Sequence, residues 1–150
     1  MTETIAYSGP RITPVQVAEG VLQTGIKPAP NLFHDNPKSG HRCAPVSGHR
    51  RACGLGIIVA VRFGVRTLAR VGNKADETKE PCVVFNKLGL DDLYGEAFMD
   101  GFDNYNRKLA SNYLDPATHS GWNDGVMSRI AADAAWDQLQ AADSRAKGTP

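Results

Sequence analysis

Two segments in the C-terminal half share a pattern that limits how this chain can fold. Ala97-Phe98-Met99-Asp100-Gly101-Phe102 superimposes on Gly121-Trp122-Asn123-Asp124-Gly125-Val126 as small, aromatic, any residue, Asp, Gly, apolar. In each copy two small residues stand four apart, Ala97 with Gly101 and Gly121 with Gly125. On a helix this spacing puts both on one face and leaves a flat strip that a second backbone can approach closely. Glycine inside a helix costs about 1 kcal/mol relative to alanine, so such strips are expected to serve packing. The pattern predicts two helices that cross at their notches.

The rest of the chain reads as mainly helical. Thr13, Pro14 and Gln16 form a capping box with proline at the first helical position, and Ile12 with Val17 forms a hydrophobic staple. Apolar residues at Val17, Ala18, Val21 and Leu22 then share one face, and Gly25 supplies the stop, predicting a helix over 14–24. Residues 26–52 hold four prolines and three of the four histidines and read as a long loop. From Cys53 to Val71 two readings compete. A helix aligns Arg62, Arg66, Arg70 and Lys74 at steps of four. A strand aligns Ile57, Val59, Val61, Phe63 and Val65. Gly54, Gly56 and Gly64 weaken the strand, so helix is preferred. Pro81 opens a short helix carrying Val84, Phe85 and Leu88, closed by Gly89. Asp91 caps a helix over 92–104, and the last helix runs to about Ala142. Along it, Val126, Ile130 and Ala134, extended by Asp137 or Gln138, are expected to mark one packed face, with Trp122 and Trp136 on neighbouring ones. Tyr105 and Tyr113 are expected against the crossing.

These elements predict a single compact mainly α domain of four to five helices; the alternative is α+β, with 55–71 as a strand or hairpin. Residues 1–11 are expected as a flexible arm, 12–143 as the globular part and 144–150 as a flexible tail. At 150 residues the length suits one domain. The start of the chain lacks the basic and apolar run of a secretory signal, and Leu55–Val61 is far short of the roughly 20 residues needed to cross a bilayer. With an odd set of three cysteines, a reduced, cytoplasmic protein that avoids membranes is the expectation.

The charge is divided along the chain. Residues 1–75 carry ten Lys/Arg and three Asp/Glu, whereas residues 76–150 carry seven and thirteen, giving +7 against −6. Lys38 to Lys74 contains eight basic residues and no acid. Arg42, Arg50, Arg51, Arg62, Arg66, Arg70 and Lys74 are therefore the candidate partner-binding residues. A protein with an acidic surface is the first expectation for the partner. Nucleic acid is the second, because the pI of about 7.8 is low for it and only Phe63 interleaves an aromatic ring.

Three chemical sites compete with this reading. His41, Cys43, His49 and Cys53 are possible zinc ligands, but H-x-C-x5-H-x3-C contains no C-x2-C knuckle and its arginine neighbours repel a dication. Cys53, beside Arg50 and Arg51 at a helix start, would have a thiolate favoured there; with His119 as base and Asp124 or Asp115 orienting it, it would form a cysteine–histidine enzyme. Asp100 and Asp124, equivalent in the repeat, would form a carboxylate pair if the crossing brought them together. The commoner role of each is structural, so the sequence favours a non-enzymatic binding protein of the adaptor or inhibitor type, without metal or cofactor.

Overall fold

The computed structural model describes residues 7–29, 51–78, 82–105 and 115–148. Within them the chain is mainly helical: α1 (Pro14–Thr24), α2 (Gly54–Phe63), α3 (Val65–Thr78), α4 (Cys82–Leu88), α5 (Asp92–Asp103) and α6 (Pro116–Gly148). Two short strands, β1 (Lys27–Pro28) and β2 (Arg51–Ala52), pair in parallel and bring together the two ends of the segment between them. The Ala29 N–H donates to Ala52 O at 2.9 Å and extends this clasp.

Local chemistry sets the element ends. The Thr13 hydroxyl accepts from the Gln16 N–H at 3.2 Å, and the Gln16 side chain accepts from the Thr13 N–H at 2.9 Å, closing the capping box. Gly25, at φ 69°, ends α1 in the left-handed conformation that glycine adopts without strain. Gly89, at φ 70°, does the same for α4, and the Leu90 N–H returns to Phe85 O. The Asp91 carboxylate accepts from the Leu93 N–H at 2.7 Å and starts α5.

The ambiguous stretch 53–71 is helical but not one helix. Gly64, at φ 93° and ψ 159°, breaks it into α2 and α3, which adds a helix to the four or five expected. The break separates two environments. From Gly54 to Ala60 every residue of α2 is buried, as befits a helix that is apolar all round. α3 buries Leu68 and carries Arg66, Arg70 and Lys74 outside. The β-branched content that favoured a strand instead suits a helix enclosed by α1, α3, α4, α5 and α6.

α5 and α6 lie in the same direction, side by side. Contacts advance together along both: Tyr94 meets Gly121, Phe98 meets Gly125, and Phe102 meets Arg129. The carbonyl oxygens of Tyr94 and Phe98 occupy the space where a Cβ at Gly121 or Gly125 would stand, and Trp122 O does the same at Gly101. Ala97 presses its own methyl against Gly121. At this separation the glycine Cα–H groups face backbone carbonyls, a weak but recurrent helix-pairing contact.

The inner face of α6 differs from the one expected. Gly121, Gly125, Ser128, Ala132 and Ala135 are buried, whereas Ile130 is 48% exposed and Ala134 is exposed. Small residues hold the inward face where the backbones approach because there is no room for larger ones, and Ile130 is left facing out. Residues 7–11 dock on α5 and α6, and α6 continues to Gly148.

Introducing a methyl group separates these roles. Gly125→Ala must push α5 and α6 apart and is expected to lower unfolding free energy by about 3 kcal/mol, while Gly89→Ala bears only the left-handed backbone cost of about 1 kcal/mol. Equilibrium denaturation of the two variants checks this, and equal losses would remove the special status of the contact.

Candidate functional site

The basic residues fall into three groups. Arg42 and Arg50 lie outside the described residues. Arg51 is half-buried in β2, facing Lys27 across the parallel pair. Arg62, at the last turn of α2, and Arg66, Arg70 and Lys74, on α3, are exposed. The Gly64 break therefore interrupts the continuous row expected from the spacing; Arg66, Arg70 and Lys74 keep their shared face, and Arg62 approaches from a different helix axis. Among the described residues, no ion pair or hydrogen bond engages Arg62, Arg66 or Arg70.

Apolar surface accompanies these cations. Val61 is 40% exposed and Phe63 is 42% exposed, on either side of Arg62. Lys87 of α4 places its Nζ 4.6 Å from the centre of the Phe63 ring, adding a further cation at this corner. An open groove between α1 and α2 continues the surface, with Gly20, Ile58 and Val61 as its apolar part and Gln16, Glu19, Gln23 and Arg62 around it. Gly20 lets α2 come close at this point: a Cβ there would meet the Ile57 side chain at 2.6 Å.

A second polar constellation joins residues 7–12 to α5 and α6. Arg11 Nε and Nη2 donate to the two carboxylate oxygens of Asp124, each at 2.9 Å. The Tyr94 hydroxyl donates to the same carboxylate and accepts from the Ile12 N–H at 2.9 Å. Tyr7 stacks on Tyr94 with ring centres 5.1 Å apart, and its hydroxyl donates to Pro10 O. Burial, followed by the bond to Asp124, pushes the Tyr94 hydroxyl pKa far above its ordinary range. The bond to Asp124 outweighs burial at Arg11 and raises its pKa, holding the guanidinium charged. The Asp124 carboxylate and the Tyr94 hydroxyl are both matched within the chain, which makes this cluster a structural lock.

The signal for this lock was present in the repeat. Asp124 is three residues after Gly121 and one before Gly125, so a helix packed through those glycines turns Asp124 inward. A buried carboxylate demands a cation or several donors. Arg11, on the segment expected to be free, was the part spacing did not reveal.

The competing sites are placed as follows. Asp100 and Asp124 take separate partners: Asn104 Nδ2 donates to Asp100 at 2.7 Å, while Asp124 holds Arg11 and Tyr94. Cys53 is buried at the N-cap of α2, and His119 is exposed on α6 with its Nδ1 3.2 Å from Asn123 Nδ2. Asp115, the other acid considered for orienting His119, caps α6 and takes the Thr118 hydroxyl at 2.7 Å, a bond that lowers its carboxyl pKa. His41, Cys43 and His49 lie outside the described residues. Among the described residues no group of three or more His, Cys, Asp or Glu is placed to hold a metal ion. Nor is any helix there long and apolar enough to cross a membrane. Tyr105 is exposed with the Arg129 guanidinium 5.1 Å from its ring centre, and Tyr113 lies outside the described residues. Comparison with protein-family models, curated proteins and solved structures gives no match for this chain.

The lock carries a pH signature with a definite sign. Folding keeps the Tyr94 hydroxyl protonated, whereas in the unfolded chain it ionises near its ordinary value of 10.0. Its contribution is complete below that pH and declines as pH rises through it, by up to about 1.4 kcal/mol per pH unit. Tyr94→Phe is expected to cost about 1–3 kcal/mol at neutral pH, by leaving the Ile12 N–H and Asp124 short of a partner, and to flatten the alkaline decline. Denaturant titrations at pH 7 to 11 measure both; an unchanged alkaline slope would assign the decline to other groups.

Proposed function

We propose that this chain is a small non-enzymatic binding protein of the cytosol that engages an acidic protein segment through the corner of α2 and α3. The observation that carries the reading is the exposure of Arg62, Arg66 and Arg70 without a carboxylate partner among the described residues. Arg11 and Arg129, in contrast, are both ion-paired within the chain. Cations left in water on one face raise the local concentration of acidic partners and speed encounter. Val61, Phe63 and the groove beside Arg62 supply an apolar anchor point at the centre of that field.

The same features favour protein over nucleic acid as the partner. Lys87 occupies a face of the Phe63 ring, which reduces the room for a stacked base. The apolar part of the groove suits an aliphatic or aromatic side chain carried by an acidic segment.

Fluorescence anisotropy tests the proposal with three labelled probes: an acidic peptide containing leucine and phenylalanine, a neutral peptide of the same length, and a single-stranded oligonucleotide. The acidic peptide is expected to bind best, and the triple variant Arg62→Glu, Arg66→Glu, Arg70→Glu to weaken it at least about tenfold, on the order of 1.4 kcal/mol. Circular dichroism of the variant should match the parent, since all three side chains are exposed. A preference for the oligonucleotide, with affinity falling steeply between about 0.05 and about 0.2 M salt, would replace the acidic protein by nucleic acid. Equal binding of the parent and the triple variant would remove this surface from consideration.

A further inference from the structure

α6 carries two seams on opposite faces. The inner one, Gly121, Gly125, Ser128, Ala132 and Ala135, is buried. Two residues further along, Asn123, Met127, Ile130, Ala134, Asp137 and Ala141 repeat the same alternation of four and three, and all are exposed. Met127 is 53% exposed and Ile130 48%. Alternating steps of four and three are the spacing by which one helix packs lengthwise on another. This seam is apolar at four of its six positions.

We propose that this outer seam pairs with the same seam of a second copy, the two α6 helices running in opposite directions about a two-fold axis at the level of Ala132. Three properties of the seam select this occupant and orientation. Its larger side chains, Met127 and Ile130, lie before the axis, while the smaller Ala134 and Ala141 lie after it. Reversing the partner therefore sets Ile130 against Ala134, Met127 against Asp137 and Asn123 against Ala141, so that neither large apolar side chain meets its own copy. Charge also selects the direction. Asp137 is the acid within the seam, and two helices running the same way would hold the two Asp137 carboxylates side by side; reversal separates them by about 15 Å along the axis, beyond the screening length of about 8 Å at physiological salt. Finally, the seam is about 27 Å long, which fits an interface at the small end of the biological range, near 1,200 Å² in total. The dimer is consequently a weak one that forms and dissociates with concentration. It leaves the basic corner on α2 and α3 outside the interface and so does not depend on the proposed partner binding.

Sedimentation velocity on the full chain, from about 1 to about 200 μM, is expected to show the mass rising from 16.2 kDa toward twice that value. Met127→Glu combined with Ile130→Glu is expected to hold it at 16.2 kDa with an unchanged helical spectrum. Direction is read by cross-linking in a Cys43→Ser, Cys82→Ser background. Mild oxidation should join Ile130→Cys to Ala134→Cys when the two single variants are mixed, and should leave Asp137→Cys alone uncross-linked. A chain that stays monomeric throughout, or a dimer that survives the double glutamate variant, overturns the proposal. A covalent Asp137→Cys dimer overturns the reversed arrangement. Should the glutamate variant fail to fold, the cross-linking of the two single cysteine variants still decides the matter.

Discussion

The structure depends on how closely the backbones of α5 and α6 approach. The contact at Gly101, Gly121 and Gly125 is backbone against backbone, so it has almost no capacity to absorb an added methyl group. Large side chains are displaced to its flanks. Phe98 and Phe102 stack on one another and cover Gly54, the first residue of the fully apolar helix α2. Phe85 of α4 reaches the same helix pair at Gly95. The core is thus assembled around a narrow joint, with aromatic rings filling the space beside it.

Two helices lying in the same direction set their dipoles side by side, which is mildly unfavourable. Arg129 offsets this at the C-terminal end of α5. It donates to Phe102 O at 3.2 Å, pairs with Asp133 at 3.0 Å, and lies over the Phe102 and Tyr105 rings. Near the other end, Asp124 enters the joint because its neighbours on the helix face are the notch glycines. Its charge then requires the N-terminal segment: Arg11 meets it with two parallel hydrogen bonds, and Tyr94 joins the same carboxylate to the Ile12 backbone. The first residues of the domain are held in place by an acid more than a hundred positions later.

The legible parts of this fold were those written in local chemistry. Thr13, Pro14, Gln16 and Gly25 mark both ends of α1 because caps are chosen by neighbouring residues only. The small residues four apart in α5 and α6 are likewise visible, since close approach admits few side chains. The inner face of α6 was misread because large apolar residues ordinarily mark the core. Here Ile130 and Ala134 face out, and glycine, serine and alanine occupy the interior. Gly64 was visible as a glycine, but spacing alone did not tell a helix break from a tolerated helical residue. Of the candidate surface, Arg62, Arg66 and Arg70 were legible as charges, while the groove beside Arg62 and the cation from Lys87 arise only when α1, α2 and α4 are brought together.

The common direction of α5 and α6 also constrains the chain that joins them. Asp103, the last residue of α5, lies level with about residue 127 of α6, so the connection must travel back roughly 17 Å before α6 can begin. An extended chain needs about five residues for that distance. Antiparallel helices tolerate a connector trimmed to a tight turn; this pair has a minimum tether length, below which the two notches could no longer meet. Lengthening the tether would add only a small, logarithmic entropic penalty.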